Sequence, residues 1–405
     1  MKIAVIGGGA SGLIAAIAAA RNGAEVTIYE KLNRVGKKIL ATGNGRCNYT
    51  NLNINIDRYH GKNVNLAKAS MEFFDLNETI RFFESLGIHP YEGESGKIYP
   101  SSLQASSILD VLRYEIKRLK VAEITDCEIK ELRKSKDKFS IIGNEDYSAD
   151  KVVLATGGKA APQLGSDGKG YEIAKSFGHK IIEPFPALVQ LRLKSKYLKR
   201  ISGIRFDGIV KGLTDNKLIR EDEGEILFTD YGISGPPVLQ ISRKVIEEIN
   251  KGNNVYISVD MFPDKTKLQL YELLQSRFAD IGYKTLEESL VGFINKKLIP
   301  VILMEAGFDD LNKRCGKLNK KEIYKIIDIL KEWKFEVTGH NTWQQAQSTA
   351  GGIDVSEINP VTLESTKVKG LYICGEVLDV DGDCGGFNLQ WAWSSGYTAG
   401  YYSSI

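Results

Sequence analysis

The first thirty residues constrain this chain more than any other stretch. Lys2 to Ile6 is a short apolar run with β-branched residues, the pattern of a strand buried in a parallel sheet. It leads directly into Gly7-x-Gly9-x-x-Gly12. Glycines at that spacing make a tight turn, let the backbone approach a pyrophosphate and let the next helix pack closely on the strand. The helix that follows, from about Ser11 to Asn22, is built from Ala, Leu and Ile, and Gly23 supplies a stop. Its N-terminus would offer free amides and a positive dipole end to phosphate oxygens. A second strand, Glu25 to Tyr29, ends at Glu30, eighteen residues after Gly12, where a carboxylate can accept hydrogen bonds from a ribose diol. The glycines interrupt the apolar run and no cleavage-site pattern follows, so a signal peptide is not expected. Strand, turn, helix, strand and terminal acid together predict an adenine-dinucleotide site.

The 405 residues suffice for two or three domains with a large core, and 42% hydrophobic with 26% charged residues is a globular balance. A net charge of +3 makes no case for a nucleic acid or a membrane surface, so neither is expected as a partner. No apolar run approaches the roughly 20 residues needed to span a bilayer. The five cysteines, Cys47, Cys127, Cys315, Cys374 and Cys384, form no CxxC pair and no zinc-like spacing with histidine. No metal is expected, and reduced thiols in a cytoplasmic protein are the simplest account.

Beyond Glu30, residues 34–51 (RVGKKILATGNGRCNYTN) are basic and rich in Gly, Thr and Asn, as a second wall around a phosphate-bearing ligand would need. Residues 64–89 read as one helical stretch and 105–119 as an amphipathic helix. Two short strands, Glu128 to Arg133 and Lys138 to Ile142, suggest a β-meander. Lys151 to Ala155 is a buried strand ending in Thr156-Gly157-Gly158, at the sheet edge where ligands of doubly wound folds bind. Residues 165–181 read as loop, helix and strand. From residue 187 to 260 apolar and polar residues alternate in several runs, predicting a small antiparallel or barrel-like β-domain interrupted by a helix near 236–249. Residues 264–332 turn helical, with about four helices. Residues 335–338 (FEVT) suggest a strand returning to the first domain. Leu371 to Cys374 is an apolar strand ending at Gly375-Glu376, and a terminal helix runs from about Asn388.

An amino-terminal GxGxxG paired with a carboxyl-terminal strand and Gly-Glu resembles flavoproteins of the glutathione-reductase-like FAD type. TGNGRCNYTN, ATGG, GEILFTDYGISGP, STAGG and GEVLDVDGDCGGFNLQWAWSSG are similar to a bacterial FAD-dependent family that includes aminoacetone-oxidase-like proteins and a flavoprotein of bile-acid dehydroxylation. That resemblance implies an α/β fold: an FAD-binding Rossmann-like domain of residues 1–186 and 335–405, interrupted by a barrel-like β-domain of 187–262 and 326–334 and a helical insert of 263–325. It also implies a cofactor shell. Gly7, Gly9, Ala10, Ser11 and Gly12 would meet the pyrophosphate and Glu30 the adenosine ribose. Lys31, Gly36, Lys38 and a loop of Thr42, Gly43, Gly45, Arg46, Cys47 and Asn48 would follow the middle and ring of the flavin. Thr156 and Gly157 would lie near the adenine, and Gly375-Glu376 by the ribitol. Gly351, Gly386, Asn388, Leu389 and Gln390 would reach the isoalloxazine. Ile129 and Asp379 complete the expected shell.

FAD would supply the hydride or electron chemistry and the protein its orientation and electrostatics. A disulfide oxidoreductase needs two cysteines near residues 40–50, and only Cys47 is present, read as a structural thiol. STAGGI resembles the HYTMGGI-like segment of fumarate reductases and aspartate oxidases, but Gln347 stands where those have histidine, which argues against dicarboxylate chemistry. His340 and Tyr231 are polar candidates for a substrate pocket, with a structural role favoured for each. No second GxGxxG follows a later strand, so NAD(P)H would dock transiently, or O2 would serve as oxidant. The expected function is an FAD-dependent oxidoreductase of a small organic substrate, an amine oxidase or an NAD(P)H-dependent reductase of an unsaturated or carbonyl compound. The alternative is a non-catalytic, structural or sensory flavin with a macromolecular partner. No catalytic residue is assigned.

Overall fold

A computed structural model describes residues 1–215 and 217–405. The chain forms two compact units, Met1–Pro186 with Trp343–Ile405, and Ala187–Thr342.

The first unit is built on a five-stranded parallel sheet. Its order is Leu371–Ile373, Lys151–Leu154, Lys2–Ile6, Glu25–Tyr29, Ala122–Ile124. Val5, Ile28, Val152, Val153, Leu154, Leu371 and Ile373 are fully buried, as a parallel sheet covered on both faces requires. Helix Ala10–Arg21 packs against the last helix, Phe387–Ser404, at unusually close range. A Cβ at Gly396 would sit 2.4 Å from the Ser11 carbonyl oxygen, and one at Gly400 would sit 2.2 Å from that of Ala15. These two glycines, one turn apart, bring the chain's two ends together.

An antiparallel meander of Glu131–Ser135, Lys138–Ile142 and Asp146–Ala149 adds a third strand to the two expected. The single helix expected over 64–89 is two, Asn65–Phe73 and Leu76–Ser85. The break is made by Asp75, whose carboxylate accepts from the Glu78 amide at 2.8 Å and starts a new helix. Helix Ala105–Arg118 stands as expected.

The second unit holds a closed six-stranded barrel, in the order Leu191–Lys194, Gly232–Ser234, Lys217–Phe228, Arg205–Thr214, Val255–Asp260, Trp333–His340. Phe228, Trp333 and Phe335 meet at its centre, with ring centroids 4.8–5.8 Å apart. Residues 335–338 therefore do not return to the first unit. Trp333, Phe335 and Val337 point into the barrel core, and their strand closes the cylinder against Leu191–Lys194. The chain rejoins the first unit only at Trp343. Helix Pro236–Asn250 interrupts the strands as expected. Helices Lys267–Asp280, Leu286–Ser289, Ile299–Glu305 and Lys320–Glu332 belong to the same compact unit as the barrel. The last is tied to it: Lys331 pairs with Asp260 at 2.6 Å and donates to the Phe262 and Lys265 carbonyls at 2.7 Å.

Candidate functional site

One long cleft lies at the carboxyl ends of the parallel strands. Its walls are the residues that follow each strand: Gly7 to Ser11, Glu30 to Leu32, Cys127 to Ile129, Ala155 to Gly157, and Glu376. It encloses about 1270 Å3, including its open mouth. Crossing from strand Ala122–Ile124 to strand Leu371–Ile373 takes four inter-strand steps, roughly 19 Å. That is the reach of an extended dinucleotide, not of a mononucleotide.

The glycine turn forms the middle of the floor. A Cβ on Gly12 would fall 1.9 Å from the Gly7 carbonyl oxygen, so only glycine lets the helix start this close to the strand. Gly9 differs: nothing lies within 4 Å of where its Cβ would be, and the residue lines the cleft. A side chain there would enter the space a diphosphate needs. Glu30 is buried, and its oxygens accept from the Gly8 and Leu32 amides at 2.8 Å each. An ionised carboxylate has about four acceptor sites, so capacity for a ribose diol remains.

Across the cleft, Lys38 Nζ donates to Glu376 Oε2 at 2.8 Å and to the Ala160 carbonyl at 3.2 Å. Glu376 Oε1 accepts from the Thr349 amide at 2.7 Å. The lysine and the late acid expected along the flavin chain thus hold each other in place. Lys31 pairs with Asp167 at 2.8 Å, and Lys169 with Glu128. Burial pushes the Asp167 carboxyl up, but the hydrogen bond and charge of Lys31, with the Lys169 amide, outweigh it and hold the group below its ordinary range.

Gly7, Gly9, Ala10, Ser11, Glu30, Lys31, Gly36, Lys38, Thr42, Ile129, Thr156, Gly157, Glu376, Asn388 and Leu389 all line the cleft. Gly12 and Gly375 stand behind this wall; a Cβ on Gly375 would meet Ser11 Oγ at 2.4 Å. Gly386 caps the last helix in a left-handed conformation. Gly43, Gly45 and Asn48 shape the neighbouring loop, and Asn48 Oδ1 is a buried acceptor with no hydrogen-bond partner among the described residues.

Other expected residues face elsewhere. Gln390 is fully buried beneath the last helix, accepting from Thr50 at 2.6 Å and donating to Thr79 and Ser394 at 2.8 and 2.9 Å. Arg46 lies over the Tyr99 ring at 5.0 Å. Asp379 accepts from the Lys62 amide, and a Cβ on Gly351 would be 2.6 Å from the Glu183 carbonyl oxygen. Cys47 is completely buried, and burial, opposed by a hydrogen bond with Thr42, pushes its thiol up to about 12. The Asn388 side chain is spent on Gly382, donating to its carbonyl and accepting from its amide at 2.8 Å each. Its helix meets the cleft through Asn388, Leu389, Trp391 and Ala392. His340 and Tyr231 lie in the barrel unit, on or beside strands flanking Leu191–Lys194. The expectation missed Leu164 to Asp167, Lys169, Gly170 and Ile173, which also line the cleft. The Ser-Asp-Gly-Lys-Gly run at 166–170 was their visible signal.

The acceptors, the open Gly9 position, the helix amides and the length of the cleft fit FAD. A family model of the HI0933-like protein Rossmann domain matches residues 1–402. The 3-dehydro-bile acid delta(4,6)-reductase of Clostridium scindens is 42% identical over 402 residues, 98% of this chain and 98% of that protein. The ribosomal RNA dihydrouridine synthase of Haemophilus influenzae is 30% identical, covering 97% of this chain and 96% of that protein. The solved 3-ketosteroid delta1-dehydrogenase of Sterolibacterium denitrificans matches with a TM-score of 0.51 at 12% identity, over 99% of both chains, a likeness of fold alone. With a family model spanning nearly every residue and a reductase matched along its whole length, the chain is an FAD-dependent oxidoreductase and belongs to the HI0933-like family.

Proposed function

We infer that this enzyme reduces a carbon–carbon double bond conjugated to a carbonyl group. The observation that carries the reading is a coincidence between two full-length relatives whose substrates share no scaffold. A 3-dehydro-bile acid delta(4,6)-reductase saturates ring bonds conjugated to an oxo group, and a dihydrouridine synthase saturates the uracil bond next to a carbonyl. The bond type is common to both. The higher identity favours a steroid-like small molecule as its carrier.

FAD, when bound, supplies the two-electron chemistry. The chain's own residues bind and orient. The glycine turn and the start of helix Ala10–Arg21 would receive the diphosphate, and Glu30 and the Lys38–Glu376 pair would hold the two sugar chains. The first turn of helix Phe387–Ser404 lines the cleft through Asn388 and Leu389, beside Ser348, where its dipole end favours negative charge. Cys47 is buried, and burial pushes its thiol up to about 12, which supports a structural role for it. NAD(P)H is the proposed electron source, docking transiently for want of a second nucleotide domain. None of the five cysteines is in a disulfide, which supports a reducing, cytoplasmic setting. No described helix is long and apolar enough to cross a membrane.

Anaerobic spectroscopy of the purified holoenzyme tests the reading. NADH or NADPH should bleach the flavin. A 3-oxo-4-ene steroid should restore its colour and emerge saturated by mass spectrometry, while the corresponding saturated ketone should do nothing. Recovery of colour with O2 alone, coupled to loss of an amine substrate, would make the enzyme an oxidase and overturn the proposal.

A further inference from the structure

The end of the cleft beyond strand Leu371–Ile373 lies on the opposite side of the glycine turn from Glu30. An extended FAD anchored by Glu30 would rest its ring half there. The polar side chains at this end are nearly all spent within the protein. Glu376 is held by Lys38 and the Thr349 amide, and Thr42 Oγ1 donates to the Ile39 carbonyl at 2.6 Å. Ser348 Oγ donates to Asn388 Oδ1 at 3.2 Å, and Trp391 Nε1 donates to the Gly375 carbonyl at 3.2 Å. Arg34 and Lys37 also line the cleft, but they flank Gly36, whose amide donates to the Gly8 carbonyl at 2.8 Å, and so belong beside the glycine turn.

Gln347 is the exception. It is exposed, it lines the cleft, and among the described residues its carboxamide has no hydrogen-bond partner. Its backbone nonetheless stands on a firm base. The strand that begins at the next residue, Ser348–Ile353, is buried throughout. Thr349 Oγ1 accepts from the Lys159 and Ala160 amides at 2.8 and 2.9 Å, while the Thr349 amide donates to Glu376 at 2.7 Å. Only the side-chain torsions of Gln347 are left for a ligand to order.

Reduction of a double bond conjugated to a carbonyl adds a hydride, drawn from the reduced cofactor, to the remote carbon. It adds a proton, drawn from water, to the nearer one. Between the two events the electron pair of the double bond rests on the carbonyl oxygen, where a hydrogen-bond donor lowers the barrier. Lys38 is already committed to Glu376. A carboxamide offers two N–H donors and carries no charge of its own. We propose that Gln347 meets the substrate's carbonyl group, its N–H donating to the oxygen on which that charge gathers. This role rests on the reductase reading, which supplies the carbonyl.

Two measurements with one probe, a 3-oxo-4-ene steroid 13C-labelled at C3, test it. The first is infrared difference spectroscopy of the steroid on the oxidised holoenzyme. The second is anaerobic mixing of the steroid with dithionite-reduced holoenzyme. In the wild type the labelled carbonyl stretch should fall below its value in apolar solvent, and the steroid should restore the flavin colour. Gln347→Met, close in size but without a donor, should keep its flavin, lose the downshift and slow the return of colour by about 100- to 1000-fold. Gln347→Glu keeps the shape and puts a negative charge in place of the donor, so it should be at least as slow. A Met variant that keeps the downshifted stretch, or a Glu variant as fast as wild type, overturns the role of Gln347, while the return of colour in the wild type upholds the reductase reading. A wild type whose colour the steroid does not restore overturns that reading, and the role of Gln347 with it.

Discussion

Two substitutions in one turn separate the fold's need for glycine from the cofactor's. In Gly12→Ala the new Cβ lies 1.9 Å from the Gly7 carbonyl oxygen and 3.1 Å from its carbon, both backbone atoms that no rotamer can move aside. The helix must slide from the strand, an overpacking strain of about 1–3 kcal/mol. For a unit of this size that lowers the melting temperature by roughly 2–12 °C even without cofactor. The same shift displaces the helix amides, so FAD affinity should fall by roughly 5- to 150-fold. Gly9→Ala is the contrast. Its φ of −78° suits alanine and nothing lies within 4 Å of the added carbon. The N-cap preference for glycine and the entropy of the unfolded chain oppose each other, so the apoprotein should melt within a few degrees of wild type. FAD affinity should nonetheless fall, because the methyl group occupies the diphosphate's space. Apoprotein melts by circular dichroism and FAD titrations by fluorescence quenching decide the matter. A Gly9→Ala protein that binds FAD like wild type would show that the diphosphate lies elsewhere. One destabilised as much as Gly12→Ala would show that the added methyl meets backbone at Gly9 as it does at Gly12.

Three further outcomes are expected. Iodoacetamide at mildly alkaline pH should label the half-buried Cys384 in the folded holoenzyme and spare Cys47 and Cys374, both fully buried with thiols pushed up to about 12, as peptide mass spectrometry would show. Asp167→Asn should lower the apoprotein's melting temperature at neutral pH. The Asp167 carboxyl is held below its unfolded value, so its contribution is present above about pH 4 and lost as pH falls through the folded value. A gap to wild type that persists unchanged at about pH 3 would assign the effect to packing instead of charge. Lys331→Met leaves Asp260 without its cation in a pair only 12% and 11% exposed, and should destabilise the second unit by about 3 kcal/mol in a urea melt.

What could be read in advance follows from which interactions are local. The dinucleotide half was legible because strand, turn and helix lie within thirty residues and each glycine has a steric reason close at hand. The break at Asp75 was also readable: Asp75 and Glu78 stand at capping spacing, and the apolar run on either side masked them. Trp333–His340 was not readable as a barrel strand. Its alternation fits any antiparallel partner, and its true ones, Leu191–Lys194 and Val255–Asp260, lie far away in the chain. Gln390 failed for a different reason. It is two residues from Asn388 on a helix, and such residues do not share a face, so the one beside the cleft and the one beneath it look alike in sequence.

The placement of the cleft has a consequence for how it forms. Strand Lys151–Leu154 pairs on one side with Lys2–Ile6 and on the other with Leu371–Ile373, and the whole barrel unit is threaded between those partners. The diphosphate wall can therefore assemble from the first part of the chain, whereas Glu376 and the amides of helix Phe387–Ser404 arrive only when the second unit has been made. Pairings of such sequence separation are slow, because loop closure precedes any reward from contact. Lys38 is positioned by the early segment but finds its carboxylate in the late one. The pair thus links two halves of a site that are separate in time as well as in sequence. Gly396 and Gly400 let the last helix dock tightly enough on Ser11 and Ala15 for that link to close.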